Sequence, residues 1–247
     1  MDLGEAFGAH ARKLGLEPQR EKILSLENIS GEIKTIRTKK HEYQAKALIL
    51  AFGAEHRKLD IPGEDDLSGL GVSYCATCDG AFFKDKNVAV VGGGNTALDD
   101  ALVLSFTSKK VYLIHRSDTF SGEKRLLEKL QEHDNVVFIF DSEVTAINGS
   151  ERLESLGIRN KVSGEEQTLD VDAVFIAIGH VPDNKAFASL VELDAYGYIK
   201  TDENCATSCP GIYAAGDGRV KKVRQLTTAA ADGTEAALAA CDYIDLL

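Results

Sequence analysis

The cysteines Cys75 and Cys78 are the feature of this sequence with the clearest chemical reactivity. A C-x-x-C spacing beside an α/β pattern favours a dithiol that cycles with a disulfide, because the two sulfurs can bond and a helix start can activate a thiol. Two alternatives stay open: a structural role, and a zinc site completed by Cys205 and Cys209, although that pair has C-x-x-x-C spacing. Asp79 follows the second sulfur, where it could protonate a leaving thiolate or cap a helix start.

A glycine turn, Gly92-Gly93-Gly94-Asn95-Thr96-Ala97, follows a predicted strand over 88–91 and opens a predicted helix over 96–106. It fits the pattern G-x-G-x-x-G/A, in which small residues let the backbone approach a pyrophosphate and the helix N-terminus offers free N–H groups. The sequence therefore predicts a dinucleotide site at this turn. A tight turn that binds no ligand is the alternative.

The next predicted strand ends at His115-Arg116-Ser117, about 20 residues after the glycine turn begins. A site for NAD would place an acidic residue here, on the ribose hydroxyl. A cation suits the 2′-phosphate of NADPH instead, so Arg116 is the predicted phosphate-binding residue. For Arg116 an ordinary surface ion pair is the alternative.

The elements that must position these residues begin with a predicted amphipathic helix over 3–15. Three predicted strands follow, over 23–26, 33–36 and 45–52, and the last is apolar enough to be buried on both faces. An acidic loop with Pro62 and Gly63, over 59–66, is the best candidate for a crossing between domains. We place the boundary near residue 57.

From residue 87 the pattern becomes strand, glycine turn, helix, strand, helix and strand, the last strand covering 136–140. This alternation predicts a parallel sheet. Three shorter predicted strands, near 144–147, 154–159 and 167–170, precede a buried run over 173–179 that closes the second domain. The tail holds a predicted strand over 212–215, then Gly216-Asp217-Gly218, and an alanine-rich helix from about 225 to 247.

Composition narrows the class of protein. The chain has 247 residues, 44% hydrophobic and 27% charged, which excludes collagen, coiled coil and general disorder. Its 28 Lys plus Arg and 39 Asp plus Glu give a net charge of −11, so we expect no nucleic acid or membrane partner. Five cysteines are too few for a disulfide scaffold and predict a reducing cytoplasm. We find no apolar run of about 18 residues and no signal-peptide pattern.

Five segments together resemble the low-molecular-weight bacterial thioredoxin reductases in order and spacing. They are Cys75-Ala76-Thr77-Cys78-Asp79-Gly80, the glycine turn, His115-Arg116, Ala177-Ile178-Gly179-His180 and Ala214-Ala215-Gly216-Asp217. The resemblance covers nearly the whole chain and implies an α/β fold of two Rossmann-like dinucleotide-binding domains. The FAD-binding domain would comprise 1–57 and 183–247. The NAD(P)H-binding domain, with the redox pair, would comprise 58–182.

The resemblance also implies that electrons pass from NADPH through FAD and the Cys75–Cys78 disulfide to thioredoxin, after a rotation of the NADPH domain. Cys78 would face the flavin, Cys75 would attack the disulfide of thioredoxin, and Asp79 would donate a proton. The FAD side would use Gly53, Gly216, Asp217, Arg224, Gln225 and Leu226. The nucleotide side would use Gly92, Gly94, Asn95, Thr96, His115, Arg116 and Gly179. Full-length members of the family form homodimers.

The chain departs from the family pattern in three places. The family opens with a strand, a G-x-G-x-x-G turn and a helix that hold the ADP part of FAD, and we expect about 60 such residues to be missing here. We therefore expect weak or no FAD binding and little thioredoxin reduction. Ser117 and Ser121 stand where the family has arginines, which reduces the expected preference for NADPH over NADH. Cys205 and Cys209 stand at apolar positions and are expected to fill the core.

Two other functions stay open on the sequence alone. The chain could be the reductase partner of a peroxiredoxin, whose closing portion is similar but normally follows a thioredoxin-like segment. It could also be a nucleotide-binding remnant without FAD that pairs with another chain. Bound flavin is yellow, so the colour of the protein separates the remnant from the enzymes.

Overall fold

The computed structural model describes residues 3–29, 31–184 and 187–247. The chain divides into two compact units. The first unit comprises the chain up to Ala54 together with Pro182–Leu247, and the second comprises Glu55–Val181. In sequence, the second unit is therefore an insertion between the two parts of the first.

The first unit opens with a helix, α1 (Leu3–Lys13), and an antiparallel sheet. The strands of this sheet are β1 (Ile23–Glu27), β2 (Lys34–Thr38) and β3 (Glu42–Ala45), with β2 in the middle. A separate strand, β4 (Leu48–Leu50), follows. The predicted helix and the first two predicted strands are confirmed, with helix and strand ends shifted by a few residues.

The prediction of one strand over 45–52, buried on both faces, is wrong. The segment changes partner within its length, because β3 pairs antiparallel with β2 and β4 pairs parallel with the tail strand Ile212–Ala214. That tail strand is the neighbour of β4 in the described sheet. Ile49 and Phe52 consequently remain exposed to solvent.

The second unit contains most of the regular structure. In chain order its elements are β5 (Ala54–His56), β6 (Val72–Ser73), α2 (Ala76–Asp79), β7 (Asn87–Val91), α3 (Asn95–Ser105), β8 (Lys110–Ile114), α4 (Lys124–Gln131), β9 (Val136–Ile139), β10 (Ser142–Gly149), β11 (Leu153–Asn160), β12 (Glu166–Asp170), β13 (Ala173–Ile176) and β14 (His180–Pro182). Five of the strands form a sheet in the order β6-β13-β7-β8-β9, and every pairing in it is parallel. The predicted parallel sheet and the α/β class are confirmed.

The central strand β7 is buried on both faces, as its apolar run predicts. Val88 and Val90 pack in a cluster with residues of α3 and α4, whereas Ala89 and Val91 pack with residues of β10 and β11. Strands β10, β11 and β12 form a separate antiparallel sheet. Helices therefore cover one face of the parallel sheet, and a second sheet covers the other.

The tail of the chain returns to the first unit. It contains β15 (Ile212–Ala214), a 3-10 turn at Gly216–Gly218 and the long helix α5 (Leu226–Asp245). β15 pairs with β4, and α5 packs on both strands. Among the described residues, we find no helix that combines the length and the apolar character needed to cross a membrane.

Candidate active site

The redox pair is present as a disulfide between Cys75 and Cys78, whose Cα atoms lie 5.3 Å apart. Cys75 precedes the first residue of α2, and its sulfur and carbonyl oxygen both accept hydrogen bonds from the Cys78 N–H. Cys78 is exposed and Cys75 is half-buried, so the pair is accessible to a reactant. The predicted disulfide couple is confirmed.

The other paired cysteines have a packing role. Cys205 packs with Ala236 and Ala240, and Cys209 packs in another cluster with Ile212. Burial raises the pKa of the Cys205 thiol, which disfavours the thiolate that binds metals. These positions fit the predicted filling of the core rather than the zinc alternative.

The capping interpretation of Asp79 holds for its position only: Asp79 is the N-cap residue of the short 3-10 helix Gly80–Phe83, but its side chain makes no capping hydrogen bond there. It is the last residue of α2, and the residue that caps the start of this helix is Cys75. The Asp79 carboxylate instead accepts a 2.7 Å hydrogen bond from the hydroxyl of Ser73 at the end of β6. A half-buried carboxyl group next to a redox sulfur is consistent with proton transfer.

The redox helix α2 packs directly on α3, the helix that follows the glycine turn. Ala76 of α2 belongs to the same buried cluster as Ala97 and Ala101 of α3. Beyond α2, a Cβ atom on Gly80 would lie 2.9 Å from a methyl group of Leu104. The disulfide and the nucleotide turn are thus joined by one tightly packed helix pair.

The glycine turn requires small residues at two of its positions. Gly92 has φ +154°, and a Cβ atom there would lie 2.4 Å from the Ala177 carbonyl oxygen. A Cβ atom on Gly93 would collide with the ring of His115. Gly94 precedes α3 and faces open space, with the Ser121 hydroxyl 4.0 Å from a Cβ built there. The turn is therefore packed tightly against Ala177 and His115 at Gly92 and Gly93 and is open at Gly94, as a pyrophosphate site needs.

A cavity of about 1090 Å³ lies in front of this turn, entirely within the second unit. It is lined by six of the predicted nucleotide residues: Gly92, Gly94, Thr96, His115, Arg116 and Gly179. The seventh, Asn95, does not line it, because its amide group makes two hydrogen bonds with Glu123 at the start of α4. Asn95 thus fixes the loop before α4.

Arg116 is exposed in this cavity and forms no ion pair with a described residue. This favours the phosphate-binding interpretation over a surface ion pair. Neighbouring His115 stacks on Phe120 with ring centroids 5.1 Å apart, and its Nε2 lies 3.0 Å from the Thr119 carbonyl oxygen. His115 is therefore held in the wall beneath the glycine turn.

The cavity is also lined by three cationic residues that the sequence did not predict as site residues: Arg57, Lys58 and Arg159. Arg159 on β11 pairs with Glu143 on β10, and each hydrogen bond to this exposed carboxylate lowers its pKa. The adjacent basic pair Arg57-Lys58 is a signal in the sequence. Arg159 has no such signal, because its position depends on the register of β10 against β11.

Among the titratable groups of α3, Asp100 has an unusual environment. Burial, together with the charge of the neighbouring Asp99, raises the pKa of Asp100 to about 7. Asp100 is thus partly protonated at neutral pH. It lies on the helix that connects the redox pair with the nucleotide cavity.

In the first unit, the predicted flavin residues collect around the 3-10 turn at Gly216–Gly218. Gly216 has φ +76°, and a Cβ atom on Gly218 would lie 3.0 Å from the Gly53 carbonyl oxygen. Asp217 Oδ1 is buried and has no hydrogen-bond partner among the described residues. Such an oxygen fits a ligand hydroxyl, since a buried carboxylate oxygen otherwise goes unsatisfied at a cost.

The three remaining flavin residues lead into α5. The Arg224 guanidinium lies 4.1 Å from the centre of the Tyr198 ring, and its Nε donates to the Asp217 carbonyl oxygen at 3.4 Å. Gln225 caps α5 through reciprocal hydrogen bonds with Thr228, and Leu226 begins the helix with an exposed side chain. The structure therefore brings together four of the six predicted residues around one turn, Gly53, Gly216, Asp217 and Arg224, and Gln225 and Leu226 follow Arg224 in sequence at the start of α5.

A buried ion cluster supports this turn, and the sequence analysis missed it. Asp232 of α5 accepts hydrogen bonds from the Gly216 N–H at 3.0 Å, from Arg219 at 2.9 Å and from Lys221 at 2.7 Å. Burial raises the pKa of Asp232, but these three donors outweigh burial and bring it to about 2. The ionised carboxylate therefore anchors the turn at Gly216–Gly218.

The pyridine nucleotide-disulphide oxidoreductase family model matches residues 7–233. The chain is 41% identical to a thioredoxin reductase of Streptomyces coelicolor over all of this chain and 77% of that protein. It is 42% identical to a thioredoxin reductase of Listeria innocua, with the same coverage. Two solved structures are also similar. One is the thioredoxin reductase from Streptococcus pyogenes, with 37% identity and a TM-score of 0.92 over 99% of this chain and 80% of that one.

The second similar structure is the thioredoxin reductase from Giardia duodenalis, with 34% identity and a TM-score of 0.92 over 98% of this chain and 80% of that one. These structures share the two-domain Rossmann-type fold that the sequence predicts, which confirms the fold class. The redox disulfide, the rigid glycine turn and the glycine-rich turn at Gly216–Gly218 agree with the match along the whole chain. The chain belongs to the pyridine nucleotide-disulphide oxidoreductase family, among its thioredoxin reductases.

Proposed function

We propose that this chain is an NADPH-dependent thioredoxin-disulfide reductase. Electrons pass from NADPH through FAD and the Cys75/Cys78 dithiol to the disulfide of thioredoxin or a thioredoxin-like protein. The observation that carries the proposal is the packing of the redox helix α2 on α3, whose N-terminal turn faces a dinucleotide-sized cavity. One unit thus joins a nucleotide site to a redox disulfide.

The second unit, which we assign to residues 58–182, binds the nicotinamide nucleotide. The N–H groups at the N-terminus of α3 receive the pyrophosphate in front of Gly92 and Gly94. Arg116 binds the 2′-phosphate, and Arg159 supports it from β11. Because Ser117 and Ser121 carry no charge, we assign a moderate preference for NADPH over NADH.

We assign FAD to the first unit, residues 1–57 and 183–247. The buried, unpartnered Asp217 Oδ1 and the close approach of Gly218 to Gly53 fit the flavin half of the cofactor. FAD, when bound, supplies the transfer of electrons between the nicotinamide and the disulfide. Asp217 would accept a hydrogen bond from it, while Arg224, Gln225 and Leu226 line the approach to α5.

The dithiol then acts on the partner protein. Cys75 attacks the partner's disulfide, Cys78 resolves the mixed disulfide, and Asp79 holds the proton that the leaving thiolate takes. We infer a homodimer for the active enzyme. We also infer a cytoplasmic location, because Cys205, Cys209 and Cys241 remain as free thiols in a chain whose other two cysteines form a disulfide.

A coupled assay tests this function. The chain is supplied with FAD, NADPH and oxidised thioredoxin, and NADPH oxidation is followed at its absorbance band. C75S and C78S should abolish turnover and leave NADP⁺ affinity unchanged, because the sulfurs lie outside the nucleotide cavity. C241S, which removes an exposed free thiol, is the matched control and should keep full turnover.

Trapping identifies the attacking sulfur and the partner. In C78S, Cys75 should accumulate a mixed disulfide with thioredoxin that mass spectrometry detects. Turnover with an oxidised peroxiredoxin and none with thioredoxin would contradict the assignment of the partner. A chain without flavin absorbance after incubation with excess FAD, and without turnover, would agree with the weak FAD binding expected from the sequence and would contradict the assignment of an active enzyme.

A further inference from the structure

Ser73 connects the redox pair with Asp79. Its hydroxyl donates a hydrogen bond of 2.7 Å to Asp79 Oδ2 and accepts one of 3.1 Å from the Cys75 N–H. A third contact, 3.5 Å from the Cys75 carbonyl oxygen, is at the outer limit of hydrogen-bond distance. Since a hydroxyl has one proton to donate, the shorter contact assigns that proton to the carboxylate.

The surroundings of Ser73 hold it in this orientation. It is the last residue of β6, is 6% exposed, and pairs in the parallel sheet with Phe175 of β13. The carboxylate is fixed from its own side as well, because the Asp79 N–H donates to the Cys75 carbonyl oxygen at 3.1 Å. The hydroxyl therefore joins a rigid strand to a carboxyl group that would otherwise rotate about its side chain.

We propose that Ser73 is a positioning residue for disulfide exchange. By binding Oδ2, it fixes the Asp79 carboxyl group beside the dithiol and leaves Oδ1 to carry the proton for the leaving thiolate. At 2.7 Å the bond has the usual length of a well-formed O–H···O hydrogen bond, so it holds the carboxyl group in one orientation. The inference rests on the proposed function only for the role of Asp79 as proton donor.

Ser73 supports a thiol–disulfide exchange in which the proton of the Asp79 carboxyl group moves to the departing thiolate. The Cys75 thiolate forms a bond to one sulfur of a substrate disulfide, whose S–S bond breaks, and the departing sulfur takes the proton from Asp79. The Cys78 thiolate then bonds to Cys75 Sγ and expels the second substrate sulfur. The dithiol loses two electrons, the substrate gains them, and Asp79 regains its proton as Cys78 loses its own.

Two substrate disulfides whose departing thiols differ in acidity distinguish a positioning role of Ser73 from a merely structural one. Oxidised glutathione releases an alkyl thiolate that needs a proton, whereas the aromatic disulfide DTNB releases a stable thiolate that does not. The chain is reduced with dithiothreitol, freed of the reductant, and mixed with either disulfide in a stopped-flow instrument. Neither reaction requires FAD or NADPH, so the result does not depend on those assignments.

We expect S73A to slow the reaction with glutathione disulfide by up to about tenfold, the loss typical of one hydrogen bond. The reaction with DTNB should change by less than about twofold, because it needs no proton donor. S73T keeps the hydroxyl and should restore the glutathione rate. S105A is the matched control, since it removes another buried serine hydroxyl of the same unit, bonded to a backbone carbonyl.

A double-mutant comparison completes the test. D79N should slow the glutathione reaction, and adding S73A to D79N should produce no further loss, because both changes remove one function. Equal slowing of both disulfides by S73A, or additive losses in the double variant, would overturn the inference and leave the proposed function intact. A D79N variant with the normal glutathione rate would refute both the inference and the role of Asp79. Should S73A not fold, S73G, which also lacks the hydroxyl, takes its place.

Discussion

Replacing Asp232 with asparagine should strongly destabilise the first unit. The Asp232 side chain is 10% exposed, and it is the common partner of Arg219 and Lys221, whose side chains are 17% and 8% exposed. An asparagine would leave two largely buried cations without a counter-charge. It would also weaken the acceptor for the Gly216 N–H, which fixes the turn that carries Asp217.

The size of the effect follows from two measures. Breaking a buried ion pair by removing one partner costs about 3–5 kcal/mol. The pKa of Asp232, lowered from 3.8 to about 2, corresponds to about 2 kcal/mol of stability for the ionised carboxylate. The larger figure includes the cost of the two unpaired cations. We therefore expect D232N to lower the free energy of unfolding of the first unit by about 3 kcal/mol or more at neutral pH.

The same pKa predicts how this loss depends on pH. Because the folded-state pKa lies below the unfolded one, the contribution of Asp232 is complete above about pH 4 and disappears as the pH falls toward 2. D232N lacks the contribution at every pH. The difference in free energy of unfolding between wild type and D232N should therefore shrink by about 2 kcal/mol between pH 5 and pH 2.

Urea denaturation followed by circular dichroism, repeated over this pH range, measures the difference. The two units can unfold in separate transitions, and we expect only the transition of the first unit to move. The matched control is E27Q, which breaks the Glu27–Arg37 pair of the first unit, with side chains 48% and 49% exposed. It should cost less than about 1 kcal/mol. A D232N variant no less stable than E27Q, or a difference independent of pH, would refute the reasoning.

Three further changes give expected outcomes in the second unit. The wild type should prefer NADP⁺ over NAD⁺ by about tenfold to a hundredfold, and R116A should bind the two nucleotides nearly equally, as measured by calorimetry. Equal binding by the wild type would show that Arg116 does not bind the phosphate. G92A should destabilise the chain and abolish nucleotide binding, since φ +154° and a carbonyl oxygen 2.4 Å away exclude a Cβ. G164A, at φ +75° in open space, is its control and should cost only the backbone strain. D100N should raise stability at pH 8 by on the order of 3 kcal/mol and have little effect at pH 4, because a raised folded-state pKa lowers stability as the pH rises past the unfolded value.

The elements of the second unit could be predicted because their signals are local. A buried apolar run, a glycine turn and helical periodicity each lie within about a dozen residues, and β7, α3 and β8 follow them closely. The segment over 45–52 failed for the opposite reason. Its apolar character is continuous, but its partners are β2 and β15, which lie far apart in sequence. Strand boundaries set by a change of partner leave no local pattern.

The chemistry of the site could be predicted where residue type and spacing alone indicate it. Cysteines at C-x-x-C spacing and a glycine turn between a buried strand and a helix form recognisable local motifs, and the structure brings them to adjacent helices. Arg159 and Ser73 carry no comparable signal. Each is an ordinary residue whose neighbour is set by strand register or by the meeting of a strand with a helix end.

The two interpretations of Asp79 show why a position in sequence could not decide its role. An acidic residue beside a helix is a common cap, and the sequence placed Asp79 near a helix start. In the structure α2 has only four residues, so Asp79 stands at its end and the Cys75 sulfur accepts the bond from the Cys78 N–H at its start. The capping position is already taken by the redox sulfur. The carboxylate is consequently free to bind Ser73, a contact that the local sequence around Asp79 could not indicate.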